Sequence, residues 1–192
     1  MQIDLAGTTA RLEGAASPVA LALRDRLAAS GARLVAKGLP DLLILSTPLL
    51  DPEGFDWDGL VRTANDLGHA MQVRGSGRLV FLLSASAALP IRRQPVLSMR
   101  MAALLAAMRG LAMQLAPEVA VNALGAGAIG PDAAHLVSGD PAMIGHAPVG
   151  RPGTLDEACN AALFLCDPEN RYLTGQVLSA DGGWSAGYGR SF

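Results

Sequence analysis

The pattern of apolar and polar positions predicts strands that alternate with helices along the chain. Several apolar runs have the length of buried strands and are bounded by turn residues: "DLLILSTP", "GRLVFLLSAS", "VAVNALG" and "GQVLSADGG". Between them, "VALALRDRLAASGARL" carries apolar residues at helical spacing and ends at Ser30-Gly31, a typical helix stop. "TLDEACNAALFLC" predicts another helix with Thr154 as its N-cap, and residues Ala102–Leu115 predict a long helix of Ala, Leu and Met.

Strands that alternate with helices in this way favour parallel βαβ units. The sequence therefore predicts an α/β fold with a doubly wound parallel sheet. It contains no internal repeat and no low-complexity linker, so we expect a single domain over residues 1–192.

Composition excludes several classes of function. Apolar residues make up 51% of the chain and the net charge is −2, with no basic stripe, so nucleic-acid binding is not expected. No apolar run reaches the roughly 18 residues of a membrane span, and "MQIDLAGTTARLEG" lacks the layout of a signal peptide. We expect a cytoplasmic protein that does not contact a membrane.

The cysteines and histidines do not have the spacing of metal ligands. Cys159 and Cys166 fall in one predicted helix, where two reduced core thiols are the simplest interpretation. His69, His135 and His146 are scattered, so no metal site is predicted.

Three segments resemble the short-chain dehydrogenase/reductase family in the same order along the chain. "RPGTLDEACNAALFLCDPENRYLTGQVLSADGGW" resembles its C-terminal helix, loop and last strand. "GSGRLVFLLS" resembles the strand that ends in the catalytic serine, and "LAPEVAVNALGAGAI" the strand before the loop over the nicotinamide. The resemblance implies a Rossmann-like sheet and a nicotinamide dinucleotide cofactor.

The cofactor turn of that family departs from its pattern here. The motif TGxxxGxG falls on Glu13, Gly14, Pro18 and Ala20, so one glycine remains. Pro18 has no N–H to donate, and the charge of Glu13 would repel a phosphate nearby. These positions are remnants of the turn, and no dinucleotide is expected to bind this chain.

The adenosine side is also shortened. A parallel crossover needs a dozen or more residues, whereas Ala36 to Pro40 supplies five. The segment "RLVA" is therefore either a vestigial edge strand or a loop, and we expect a reduced sheet that lacks the usual strand and helix unit at this end.

The resemblance places the catalytic serine, tyrosine and lysine of the family at Ser84, Leu97 and Met101. Neither leucine nor methionine can exchange a proton, and Arg100 is too basic to serve instead. The bracing NNAG turn of the family falls on residues 45–48, "LSTP", and its helix asparagine falls on Ala64, one residue before Asn65, and is not assigned.

These departures lead to the hypothesis of a catalytically inactive subunit that is not an enzyme by itself. It would assemble with an active, full-length relative that holds NAD(P), as a heterotetramer formed through Ala102–Leu115 and Tyr172–Trp184. The resemblance implies a hydroxyacyl-CoA-type alcohol dehydrogenase, one candidate being hydroxy(phenyl)methylsuccinyl-CoA dehydrogenase. Tyr188 or Phe192 in the tail is a candidate for contact with a neighbouring subunit.

Two alternatives stay open. One is an enzyme with non-redox chemistry at Ser84, assisted by Arg100. The other is a homo-oligomeric protein that binds a small ligand in the remnant cleft.

Overall fold

Six parallel strands form one sheet in the computed structural model, which describes residues 3–50 and 53–187. The order across the sheet is β2-β1-β3-β4-β5-β6. The strands are β1 (Thr9–Gly14), β2 (Arg33–Leu34), β3 (Leu42–Ser46), β4 (Gly77–Ser84), β5 (Val119–Ala126) and β6 (Val177–Ala180). The helices are α1 (Pro18–Ala29), α2 (Trp57–Arg74), α3 (Pro95–Leu115), α4 (Pro141–His146) and α5 (Leu155–Cys166), with short 3-10 turns at Ala85–Ala87 and Trp184–Ala186.

Helices cover both faces of the sheet, so the predicted doubly wound α/β architecture is confirmed. Helices α1 and α5 pack on one face, and α2 and α3 pack on the other. Strands β3 and β4 are buried along almost their whole length, which is why their central residues form apolar runs rather than an alternating pattern. The carboxyl ends of β1, β3, β4 and β5 meet at one edge, where ligands bind in open sheets of this kind.

The reduced end of the sheet retains a two-residue edge strand, so the interpretation of "RLVA" as a vestigial edge strand is correct. Strand β2 pairs with β1 only at Thr9 and Ala10, and β3 begins beside the same Ala10. The connecting residues 35–41 need only pass across β1, and the Arg11 guanidinium donates a 3.0 Å hydrogen bond to the carbonyl of Gly38 in this link. No helix lies between β2 and β3, so the adenosine-side unit is missing, as predicted.

Helix α3 is longer and more apolar than the sequence pattern indicated. It is the one helix in the described residues that is long and apolar enough to cross a membrane, with a mean hydropathy of 1.4 over its best window. The expectation that no apolar run reaches such a length is therefore wrong. Its inner side packs in the core beneath β4 and β5, as core helices do, while Val96, Met99 and Met113 are exposed on its outer side.

Helix α5 begins as the sequence predicted. The Thr154 hydroxyl accepts a hydrogen bond from the N–H of Glu157, and the Glu157 carboxylate accepts one from the N–H of Thr154. This capping box satisfies two backbone donors that a helix start otherwise leaves open. Arg151 pairs with the same carboxylate at 2.8 Å.

Candidate functional site

The remnant of the cofactor turn lies where β1 ends at the carboxyl edge of the sheet. Gly14 has a φ of +94°, and a Cβ atom built on it would lie 2.2 Å from the carbonyl oxygen of Ser46 in the neighbouring strand. The next residue, Ala15, donates its N–H to the same oxygen at 2.9 Å. A glycine is thus required here by the close approach of β3, whether or not a phosphate binds.

The start of α1 has few amide groups left for a pyrophosphate. Pro18 is the first residue of the helix and has no N–H. The N–H of Ala20 donates to the hydroxyl of its own N-cap, Ser17, at 3.2 Å, and the N–H of Leu21 donates to the carbonyl of Ser17. A pyrophosphate would have to compete with the hydrogen bonds of the helix itself.

Glu13 and strand β2 are the other parts of the remnant cofactor site. The Glu13 carboxylate forms an ion pair with Arg11, so its charge is partly balanced and the repulsion expected from the sequence is weaker than predicted. Strand β2, whose end reads the ribose in this family, is reduced to Arg33 and Leu34, both exposed. Together with the start of α1, these residues do not fit a nicotinamide dinucleotide.

The hydroxyl of Ser84 lies at the end of β4 and is fully buried. Its oxygen accepts a hydrogen bond from the N–H of Ser86 at 3.2 Å and caps the short turn that follows the strand. Within the described residues, no histidine or carboxylate hydrogen-bonds this hydroxyl. The alternative of non-redox chemistry at Ser84 therefore lacks a general base.

Leu97 and Met101 lie on the inner side of α3 and are buried in the apolar core. The Met101 sulfur lies 3.8 Å from the Thr47 hydroxyl oxygen. Both side chains are packing groups without a proton to transfer, and their assignment to the tyrosine and lysine positions stays what the resemblance implies.

The Arg100 side chain points away from Leu97 and Met101. Its guanidinium lies 5.3 Å from the centroid of the Trp57 ring, in a cation–π contact. The Phe55 ring meets the Trp57 ring edge-on, with 4.9 Å between the centroids. Arg100 is thus held at the start of α2 and is not brought to Ser84.

Hydroxyl groups replace the amides that brace the strands in this family. The Thr47 hydroxyl donates to the carbonyl of Leu82 at 2.8 Å and ties β3 to β4. The Ser17 and Ser46 hydroxyls lie 3.2 Å apart and join the start of α1 to the end of β3. These braces were not predicted from the sequence, although the "ST" of "LSTP" directly after a buried strand is the signal that could have revealed them.

The asparagine of the proton relay has no counterpart in α2. Ala64 is fully buried in the core between α2 and the sheet. Asn65 is only partly buried, and its amide contacts Asp66 at 3.4 Å on the outer side of the helix.

Both cysteines lie in the core as free thiols. Burial raises the pKa of Cys159 to about 11 and that of Cys166 to about 12. Such thiols stay protonated at neutral pH and are poor nucleophiles and poor metal ligands. Among the described residues no three His, Cys, Asp or Glu side chains cluster as metal ligands.

Comparison with known proteins shows the family to which the chain belongs. The family model described as enoyl-(acyl carrier protein) reductase matches residues 55–185. Galactitol 2-dehydrogenase (L-tagatose-forming) of Cereibacter sphaeroides is 34% identical over 67% of this chain and 53% of its own length. The 3-oxoacyl-[acyl-carrier-protein] reductase FabG of Aggregatibacter actinomycetemcomitans is 30% identical over 67% of this chain and 57% of its own length. The chain is a member of the short-chain dehydrogenase/reductase family, and it spans about half the length of the curated relatives it matches.

Solved structures agree on the fold. The 3-ketoacyl-(acyl-carrier-protein) reductase of Brucella melitensis, complexed with NADH, superposes with a TM-score of 0.73 at 21% identity, over 95% of this chain and 100% of the other. A mutant short-chain dehydrogenase/reductase of Serratia marcescens gives a TM-score of 0.76 at 21% identity, over 94% of this chain and 99% of the other. At this identity the likeness supports the Rossmann-like fold alone.

These matches contradict one prediction from the sequence. The hypothesis that the chain is not an enzyme by itself is wrong, because the family is one of oxidoreductases and the relatives named are dehydrogenases and reductases. The substitutions at Leu97 and Met101 remain facts of the structure, but the comparisons do not support inactivity as the conclusion from them.

Proposed function

We propose that this chain is a subunit of an NAD(P)-dependent oxidoreductase that interconverts an alcohol and a carbonyl group, assembled with a full-length relative. Membership of the family supports the reaction class. The relative would hold the dinucleotide, because Pro18 and the self-capped start of α1 leave this chain without the usual phosphate cradle.

The exposed apolar side chains on the outer side of α3 are the observation that supports the proposed assembly. Met99 is 63% exposed and Met113 is 79% exposed, although both side chains are apolar. On the neighbouring α2 the side chain of Val73 is also exposed, and so is Tyr172 in the loop before β6. Exposed apolar groups of this size on adjacent segments are typical of protein interfaces. Met113 and Tyr172 belong to the two segments Ala102–Leu115 and Tyr172–Trp184, Met99 precedes the first of them on α3, and Val73 lies on α2.

Acyl thioesters are the substrate class that we propose. The relatives include 3-oxoacyl-[acyl-carrier-protein] reductases, one of which shares 58% identity with this chain over 36 residues. A hydroxyacyl-CoA-type dehydrogenase belongs to the same class of chemistry, and hydroxy(phenyl)methylsuccinyl-CoA is one candidate within it.

Co-purification tests this proposal. The tagged chain would be co-expressed with the full-length dehydrogenase encoded nearest to it, and the complex measured by size exclusion with light scattering. We expect a stable assembly with reductase activity toward a 3-oxoacyl thioester. The double variant Met99→Lys, Met113→Lys should dissociate it, whereas Leu21→Lys, an exposed site on α1 at the opposite face of the sheet, should not. Recovery of the wild-type chain as a lone monomer in the presence of the relative would contradict the proposal.

Tyr188 and Phe192, suggested as contacts with a neighbouring subunit, lie outside the described residues.

A further inference from the structure

A small cleft lies beside the turn that follows Ser84. The segment Leu89–Arg93, helix α4 with the preceding Asp140, and the residues from Trp184 to Gly187 enclose about 330 Å³. We call it the Trp184 cleft. Its base packs against Ala85, the residue next to Ser84, so the cleft opens close to the end of β4 and at the same edge of the sheet.

The base of the Trp184 cleft is apolar. Ile91, Met143 and Trp184 form one buried cluster with Ala85 and Ala128. These side chains come from three distant parts of the sequence, and each keeps less than a tenth of its surface exposed. A base of this kind accepts a short hydrocarbon chain or a ring, and its volume is at the lower end of the range for small-molecule sites.

The rim carries two exposed arginines and one carboxylate, Asp140. Arg92 and Arg93 are exposed at the mouth of the cleft, and among the described residues neither guanidinium has a hydrogen-bond or ion-pair partner. The carboxylate on the rim, Asp140, accepts the N–H of Ala142 at 2.7 Å and is used to cap α4. By contrast, Arg151, which lines the next cleft, is fully paired with Glu157.

We propose that the Trp184 cleft binds an apolar chain that ends in an oxyanion, a carboxylate or a phosphate, and that this is the negatively charged part of the proposed thioester substrate. The two guanidinium groups offer planar pairs of N–H donors that match a carboxylate or a phosphate, while Ile91, Met143 and Trp184 cover the hydrocarbon. That this ligand is the substrate rests on the proposed oxidoreductase function, but the binding itself does not.

Binding of three ligands of equal chain length tests the proposal. Octanoate, octyl phosphate and neutral octanamide would be titrated into the full chain while the indole N–H of Trp184 is followed by NMR. We expect saturable shifts, with a dissociation constant of about 1 mM or below for the better anion. That anion should bind at least about tenfold more tightly than octanamide. Whichever anion binds more tightly identifies the source of the oxyanion.

Two variants and one control separate the parts of the site. Arg92→Gln with Arg93→Gln should weaken the anion at least about tenfold, and Ala142→Trp, which fills the mouth from α4, should abolish the shifts. Arg24→Gln with Arg33→Gln removes the same charge from exposed places away from the cleft and should change affinity by less than about twofold. All these positions are exposed, so folding should be retained.

Equal affinity for anions and octanamide, no binding of any of the three, or equal loss in the control pair would overturn the proposal. Because binding is read on the chain without turnover or partner, it can fail while the assembly with a relative stands, and the converse also holds.

Discussion

Gly14 is the surviving glycine of the cofactor turn, and its replacement by alanine tests why it is there. Two costs follow from the structure. The left-handed φ of +94° strains any side chain by roughly 1–2 kcal/mol. The new Cβ would also lie 2.2 Å from the Ser46 carbonyl oxygen, a backbone atom held in the β1–β3 ladder, which adds roughly 1–3 kcal/mol.

We therefore expect Gly14→Ala to lower the free energy of unfolding by about 3 kcal/mol, which for a chain of this size is a fall in Tm of roughly 6–12 °C. Gly38→Ala is the matched control, because it has a φ of +84° but no atom within 4 Å of the new Cβ, and should cost about 1 kcal/mol. Gly110→Ala, inside α3 and with open space around it, should stabilise by about 1 kcal/mol. Urea unfolding followed by circular dichroism measures all three. Equal losses for Gly14→Ala and Gly38→Ala would refute the close-packing argument.

Three further predictions concern buried and titrating groups. Met101→Lys should lower the free energy of unfolding by at least about 3 kcal/mol, because the buried Met101 side chain has no anion among its hydrogen-bonding contacts to balance the new charge. Met101→Leu should lower it by less than about 1.5 kcal/mol. Similar losses for the two variants in urea unfolding would contradict this prediction. The pKa values of Cys159 and Cys166 are raised from 9.0 to about 11 and about 12 by burial, so their contribution to stability is complete below pH 9 and is lost as the pH rises toward 11–12. Alanine at both positions should flatten the alkaline limb of a pH titration of Tm, and an unchanged limb would refute the assignment. The pKa of Glu157 is lowered to about 2, first by hydrogen bonds from the Arg151 guanidinium, so its contribution is present above pH 4.5 and is lost as the pH falls toward 2; Glu157→Gln should reduce the acid sensitivity of Tm in that window, and identical acid profiles would count against it.

The elements that could be predicted from the sequence are those whose whole length is buried or whose ends carry their own signal. Strands β3, β4 and β5 are mostly apolar because helices cover both of their faces. Helix α5 is marked by Thr154 and Glu157. Strand β1 was harder to predict from the sequence, because Arg11 and Glu13 interrupt its apolar pattern. Near these two residues lies only the short link from β2 to β3.

The site could be predicted only in part. Counting from Ser84 assigned the catalytic positions to Leu97 and Met101, and the structure shows both as buried side chains on α3. The brace formed by Thr47 was missed because it depends on the side-chain direction at the end of β3. The Trp184 cleft was missed because loops distant in sequence form it. The conclusion that the chain is not an enzyme was drawn from the altered cofactor turn, the shortened adenosine side and the residues at positions 97 and 101, and the relatives contradict it.

Cofactor stoichiometry tests the proposed division of labour between this chain and its relative most directly. The purified assembly would be loaded with NADH or NADPH and its mass measured by native mass spectrometry, beside the isolated chain. We expect one dinucleotide for each full-length relative in the assembly and none on the isolated chain, because Pro18 has no N–H and the N–H of Ala20 is already bonded to Ser17. One dinucleotide for every chain of either kind, or tight binding to the isolated chain, would contradict it.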